Sequence, residues 1–320
     1  MDANNEGAAN APNKVQIMLG LPKGRMQDQA VRLLGDAGLP VVIDEREYRP
    51  KVGNGAGAYT KSAATIEYST KLLKPQNIVE MLASGSRDVG FAGADWVCEL
   101  GADLVELLDT GMDPVRLVVA APEGIVREVK SRGGGPAAWK AVCGRIPVLA
   151  SEYENIAQGW INANIPGTKF IRSYGATEAF PPEDADLIID NCATGNTLKA
   201  NGLVIMDTIM TSSTRLYASK AAMEDKAKKE AADALVLLLK AVLEARRRVM
   251  LEVNVNAELL EELVAILPCL KSPTISPLDK GKAYAVRVAA PKESLAELIP
   301  EIKRCGGTDI VVTALSQLVP

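Results

Sequence analysis

Leu187-Ile188-Ile189-Asp190-Asn191-Cys192-Ala193-Thr194-Gly195-Asn196-Thr197-Leu198 is the stretch on which the fold turns. Three apolar residues, an acid, a short loop of small and hydroxyl residues and an aliphatic residue opening a helix describe a strand that delivers a carboxylate to an anion cradle. Ligands of open α/β sheets sit beyond the carboxyl ends of strands, so Asp190 is expected at a crevice. Ala193 and Gly195 let the backbone approach a ligand. The N–H groups of a loop entering a helix attract phosphate through their dipoles, and Thr194 and Thr197 add hydroxyl donors. A carboxylate just ahead of such a cradle suits the two hydroxyls of a ribose, so the loop reads as a sugar-phosphate site. An ordinary strand-turn-helix with a threonine cap would use the same residue types, and spacing alone does not separate the two.

Composition narrows the chemistry. A chain of 320 residues has room for two or three domains and a real core. The net charge of -4 leaves no footprint for nucleic acid or an anionic membrane, so an anion site must be local. Aromatic residues, at 4%, are too few for base-stacking platforms. Cys98, Cys143, Cys192, Cys269 and Cys305 are odd in number and form no CxxC, which points to reduced thiols and not to a disulfide framework or zinc site. There is no histidine, which removes Ser-His-Asp and Cys-His catalysis together with the commonest metal ligand. Cys192 is therefore expected to pack. Met1 to Asn13 lacks an apolar signal-peptide core and is expected to be a disordered tail. The apolar run Ala234 to Leu239 is too short to span a bilayer, and a cytoplasmic protein is expected.

Working outward from the cradle, strands alternate with helices: strand Val15–Leu19, helix Met26–Ala37, strand Ala64–Tyr68, helix Gln76–Ala83, and a short strand ending at Gly93 before a helix. Val115–Ala121 is a continuous apolar strand, fit for the middle of a parallel sheet. Strand Ile146–Ala150, helix Tyr153–Ala163 and strand Lys169–Arg172 lead back to the cradle. The order predicts doubly wound α/β domains with parallel pairing. Lys23 and Arg25 flank Gly24 after the first strand and make a second candidate anion site. Asp95, near a helix start, has the position of a capping residue. Beyond the cradle, strand Gly202–Ile205 and a helical stretch Ala221–Arg248 are followed by a change of pattern. Strand Val249–Val255, helix Ala257–Leu267, extended Pro273–Leu278, strand Tyr284–Ala289, helix Lys292–Cys305 and strand Ile310–Thr313 form βαββαβ, the order of a ferredoxin-like unit. By analogy of fold, such an appended module regulates or oligomerises.

With these pieces assembled, the chain resembles the long form of the ATP phosphoribosyltransferase family, the first enzymes of histidine biosynthesis. The segments that carry the likeness are Leu21-Pro22-Lys23-Gly24-Arg25, the Gly-x-x-Asp-x-Gly run from Gly85 to Trp96, Asp190 to Leu198 with Asn201-Gly202-Leu203, and Leu267-Pro268 with Ser272-Pro273-Thr274. The resemblance implies two periplasmic-binding-protein-like α/β domains, residues 14–119 with 204–245 and residues 120–203, followed by a ferredoxin-like regulatory domain over 246–320. It implies condensation of ATP with phosphoribosyl pyrophosphate, feedback inhibition by histidine, dependence on Mg2+, and a homohexamer of dimeric building blocks. On that reading Ala193, Thr194, Gly195, Asn196 and Thr197 hold the ribose phosphate and Asp190 the ribose hydroxyls. Lys23, Gly24, Arg25, Lys74, Gly93, Asp95 and Glu178 line the ATP side, with Lys23, Arg25 and Asp190 as the catalytic set. Glu252, Ser272 and Thr274 hold the inhibitor. A chain without histidine suits this reaction, because the attacking adenine nitrogen is already unprotonated. What is required is orientation and charge stabilisation.

The sequence departs from the family pattern at three places. Asp190-Asn191 replaces two successive acids found in many phosphoribosyltransferases. Lys74-Pro75 stands for the usual Arg-Pro, which loses a bidentate anion grip. Glu252 lies where an aspartate is usual and would equally suit an exposed strand position. Two other readings stay open on the residues: a non-catalytic binding module for a small anion, and a salvage phosphoribosyltransferase that accepts free adenine.

Overall fold

The structure, a computed structural model, describes residues 14–44, 48–53, 65–270, 272–278 and 282–319; the tail expected over residues 1–13 lies outside them. Two compact units divide the chain, one drawn from residues 1–30, 42–51 and 59–231 and the other from 31–41, 52–58 and 232–320.

The first unit is built on an eight-stranded sheet. Its first half comprises β1 (Lys14–Pro22), α1 (Gln27–Asp36, which runs on into the second unit), β4 (Thr65–Leu73), α2 (Pro75–Ala83), β5 (Val89–Gly93) and α3 (Ala94–Glu99), while the short strands β2 (Val41–Val42) and β3 (Lys51–Val52), which pair in a sheet of their own, are divided between the units. Then come β6 (Val105–Pro122), α4 (Glu123–Ser131), α5 (Gly135–Cys143), β7 (Val148–Ser151), α6 (Glu154–Asn164), β8 (Lys169–Arg172), β9 (Leu187–Cys192), α7 (Asn196–Ala200) and β10 (Leu203–Ala218). The strand order is β4-β1-β5-β10-β6-β9-β7-β8.

Strands β4, β1 and β5 are mutually parallel, as are β8, β7 and β9. Between them, β6 and β10 run antiparallel to each other and to their neighbours. The expectation that Val115–Ala121 sits in a parallel sheet is thereby corrected. The segment does lie mid-sheet, with Leu117 to Ala121 essentially inaccessible, but burial on both faces produces an apolar run whatever the strand direction. The return strand was also expected to end at Ile205. It continues to Ala218, and the extension went unread because its middle, from Met206 to Thr211, is only partly covered and so carries polar residues between the apolar ones.

These two long strands join two α/β lobes, one on β4, β1 and β5 and the other on β8, β7 and β9. Their pairing fixes where the strand ends meet. Gly93, at the end of β5, pairs with Thr214, which pairs with Met112. Cys192, at the end of β9, pairs with Arg116. The carboxyl ends of both lobes therefore converge on the same short stretch of β6, the crevice geometry in which α/β sheets hold ligands. Asp88 of the Gly-x-x-Asp-x-Gly run is structural: buried at the start of β5, it accepts the Met18 N–H at 2.8 Å and pairs with Lys228 at 2.8 Å.

Helices α8 (Lys220–Glu224) and α9 (Lys226–Arg247) follow, α9 continuing into the second unit. There β11 (Arg248–Asn256), α10 (Leu260–Ile266), β12 (Thr274–Leu278), β13 (Ala283–Pro291), α11 (Leu295–Arg304) and β14 (Thr308–Ala314) form an antiparallel sheet of order β12-β13-β11-β14. This is the ferredoxin-like topology expected from the pattern. Alternate residues of β11, Val249, Leu251, Val253 and Val255, are buried with Val286 and Val288 of β13, Leu263 of α10 and Leu298 and Ile302 of α11. The period-2 burial of one sheet face against helices is what that alternation demands.

Candidate active site

Strand β9 buries Leu187, Ile188 and Ile189 completely and emerges at Asp190, as the apolar run predicted. The Asp190 carboxylate accepts the Asn191 N–H at 2.7 Å. Burial pushes its pKa up to about 6, held down in part by hydrogen bonds from the Asn191 backbone and the Thr177 hydroxyl and raised further by the negative charges of Glu178 and Glu152. Glu178, expected on the ATP side, stands with Asp190, while Glu152 was not foreseen. Its only sequence signal was its place just after the end of β7, a parallel neighbour of β9.

Beyond Asp190 the chain turns at Gly195, whose φ of 83° is a left-handed conformation that favours glycine, and enters α7. Ala193, Thr194, Asn196 and Thr197 are exposed around that turn. Cys192 points the other way, into a core with Val118, Ala120, Ile188 and Leu198. Packing is its role, as the absence of histidine indicated.

The second grouping is basic. Register pairs Pro22 of β1 with Leu73 of β4, and the Lys23 N–H donates to Leu73 O at 2.7 Å, so Lys23 and Lys74 leave adjacent strand ends together. They line one cavity of about 280 Å³ with Tyr48, Arg49, Lys71, Leu72 and Leu73. The Lys23 ammonium lies 4.3 Å from the centre of the Tyr48 ring, a cation–π arrangement that keeps it in place. Gly24, at φ 81°, and exposed Arg25 follow directly. Tyr48, Arg49 and Lys71 were missed, because Lys71 joins Lys23 only through the β1–β4 pairing and Tyr48 and Arg49 through a loop tied to β4 by the Leu72 N–H donating to Tyr48 O, neither of which a local pattern announces.

Gly93 and Asp95 are placed differently from the ATP-side role expected of them. Asp95 is 6% exposed, and both of its oxygens have protein partners: the Ser212 hydroxyl donates to Oδ1 and the Tyr153 hydroxyl to Oδ2, each at 2.7 Å. It does not cap α3, which has no side-chain cap. A Cβ on Gly93 would come within 2.1 Å of Asp95 Oδ1, so glycine is required there by this carboxylate.

In the ferredoxin-like module, Ser272 and Thr274 line a cavity of about 390 Å³ together with Arg287, Met250, Cys269 and Val319. Glu252 lies outside that lining. It pairs across the sheet with Arg287 at 3.0 Å, each side chain substantially exposed. Arg287, directly opposite Glu252, was not singled out in the sequence. Among the described residues, no three acids, cysteines or histidines form a ready metal site, and no helix is long and apolar enough to cross a membrane.

Comparisons with known proteins point to one family. A family model described as ATP phosphoribosyltransferase matches residues 74–241, and one for the C-terminal domain of the same family matches 245–317. An ATP phosphoribosyltransferase of Chlorobium phaeovibrioides is 32% identical over 309 residues, 95% of this chain and 97% of that one. That of Chlorobium luteolum is 34% identical over 313 residues, 96% of this chain and 98% of that one. Among solved structures, an ATP phosphoribosyl transferase (HisG:HisZ) complex from Thermotoga maritima is similar in fold, with a TM-score of 0.54 and 23% identity across 70% of this chain and 98% of that chain.

Proposed function

We propose, since the chain belongs to the ATP phosphoribosyltransferase family, that its crevice joins ATP to phosphoribosyl pyrophosphate and releases pyrophosphate, and that the product enters histidine biosynthesis. The observation that carries this reading is the convergence of the ends of β5 and β9 on one stretch of β6, with an acid-led cradle on one side. The loop from Ala193 to Thr197 holds the ribose 5-phosphate through backbone N–H groups and threonine hydroxyls. Asp190, ionised above pH 6, accepts the ribose hydroxyls.

Lys23, Arg25, Arg49, Lys71 and Lys74 supply the positive charge for ATP phosphates or the departing pyrophosphate. Arg49 restores the guanidinium that Lys74 lacks. No side chain is needed as a base, because the nucleophile is a neutral ring nitrogen. The protein's contribution is alignment of two substrates and electrostatic stabilisation of the sugar cation and leaving group. Mg2+ fits the donor set as a substrate-borne ion, since it usually keeps several waters and binds through one or two carboxylates plus phosphate. Asp190 and Glu178 are the carboxylates that would meet it, where it would neutralise the leaving group.

Histidine is the inhibitor in this reading. The cavity bearing Ser272, Thr274 and Arg287 has apolar walls and a few polar groups, as small-molecule sites do. Arg287 suits its carboxylate, and Glu252 acts by holding Arg287 instead of contacting the amino group. A cytoplasmic homohexamer, with catalytic domains over 14–119 with 204–245 and 120–203 and a regulatory one over 246–320, completes the proposal. The test is absorbance change on mixing protein, ATP, phosphoribosyl pyrophosphate and Mg2+, with and without histidine. Turnover with ATP that histidine suppresses is expected. Turnover with adenine in place of ATP would favour salvage, and binding of the sugar phosphate without turnover would favour a sensor. Activity indifferent to histidine would remove only the regulatory half.

A further inference from the structure

The two lobes meet in a hydrogen-bonded chain that reaches the cradle. Asn191, next to Asp190 on β9, donates from Nδ2 to the Tyr153 hydroxyl at 3.4 Å. The Tyr153 hydroxyl donates to Asp95 Oδ2, and Ser212 on β10 donates to the other oxygen of Asp95. Tyr153 is 1% exposed and stacked on Trp96, ring centres 4.6 Å apart. A second contact lies beside the first: the buried Glu99 carboxylate at the end of α3 accepts the N–H groups of Asn155 and Ile156, both at 3.0 Å, at the start of α6. Residues of one lobe, on α3, are thus fixed to residues of the other, on α6 and β9, directly behind the crevice.

The direction of the donors matters. Asp95 occupies the one proton of the Tyr153 hydroxyl, so that oxygen can only accept from position 191. An amide donates there, whereas a carboxylate would offer acceptors alone and would add a third negative charge beside Asp190 and Asp95. This accounts physically for an amide where many phosphoribosyltransferases carry a second acid. We propose that Tyr153 is a positioning residue that locks the cradle strand to the opposite lobe, aligning the sugar carbon held by one lobe with the nucleophile held by the other. The proposal rests on the two-substrate reading of the crevice. If each substrate is gripped within its own half, loss of the lock leaves binding intact and spoils alignment, and a displacement of about 1 Å costs on the order of 100-fold in rate.

Tyr153→Phe keeps the ring stack and removes the hydroxyl. Steady-state kinetics of the full chain should show kcat reduced about 10- to 100-fold with KM for each substrate within about threefold. Ser212→Ala, which removes the opposite donor, should act in the same direction, and the double variant should be no worse than the poorer single one, as for members of one unit. Ser212→Ala also serves if Tyr153→Phe does not fold. An unchanged kcat in both variants, or a loss confined to KM for phosphoribosyl pyrophosphate, overturns the lock. Amide hydrogen exchange of wild type and variants is read alongside. Faster exchange in both α3 and the first turn of α6, with α2 unchanged, supports it even if the wild type fails to turn ATP over, a result that would count against the two-substrate reading alone. Exchange unaltered in both helices overturns it.

Discussion

The end of β9 and the pocket beside β1 and β4 treat charge in opposite ways. At β9 a carboxylate is buried beside Glu178 and Glu152, and burial first, with their negative charges adding to it, raises its pKa to about 6. At β1, Lys23, Arg49, Lys71 and Lys74 share one small cavity, and none of the four forms an ion pair with another described residue. An acidic group of this kind repels a bare polyphosphate and accepts hydroxyl hydrogens, whereas the basic cavity does the reverse. On the proposed reading the contrast places the ribose hydroxyls at the acidic end and the polyphosphate at the basic one, and each can be tested separately.

The largest effect is expected at the acid. Asp190→Ala should lower kcat/KM for phosphoribosyl pyrophosphate by about 100-fold or more, the scale on which removal of one oriented charge-stabilising group is felt. KM for ATP should stay close to that of wild type. The fold should not suffer. The Asp190 pKa is raised in the native state to about 6, against ~3.9 when unfolded, so its ionisation opposes folding. That penalty is absent below about pH 4, grows as pH rises to about 6 and is full at pH 7. A melting temperature at pH 7 equal to or above that of wild type is expected, and a large fall would show Asp190 to be a structural residue instead.

Arg49→Ala and Lys71→Ala test the other end. Each should weaken ATP binding about tenfold, the lower range for a charge-assisted hydrogen bond, and leave phosphoribosyl pyrophosphate binding nearly unaltered. If they weaken phosphoribosyl pyrophosphate equally, the basic cavity serves the pyrophosphate and the assignment of ends must be redrawn. Lys74→Arg should strengthen ATP binding slightly, because a guanidinium grips phosphate in two places where an ammonium grips in one.

The same contrast explains what could be read from the sequence. The cradle is a continuous stretch: Leu187 to Leu198 carries its own strand, acid, turn glycine and helix start, and each sits where the pattern put it. The basic pocket is assembled from three separated segments, two joined by the β1–β4 register and the third by the Leu72 N–H donating to Tyr48 O, so only Lys23 and Lys74 were picked out and Arg49 and Lys71 were not. Asp95 misled for a physical reason: an acid at a helix start looks alike in sequence whether it caps, binds a ligand or, as here, receives two buried hydroxyls. The long strand β10 was legible only over its first apolar residues, Leu203 to Ile205, since the polar residues of its partly covered middle break the pattern before the buried end at Leu216 to Ala218.

The smallest effect should come from Glu178→Gln. Its negative charge raises the Asp190 pKa, so neutralising it should lower that pKa by a fraction of a pH unit. Asp190 must be ionised to accept the ribose hydroxyls, so kcat/KM for phosphoribosyl pyrophosphate should fall as pH drops through about 6 in the wild type. In the variant the fall should begin at lower pH. The substrate's own phosphates also titrate near pH 6, but they do so identically for both enzymes, and the difference between the two profiles isolates the protein group. Coincident acid limbs would mean that Glu178 does not sense Asp190 in solution. A limb moved upward would mean that Glu178 donates a proton to the site, and the acidic end would then be a proton store instead of a cradle for hydroxyls.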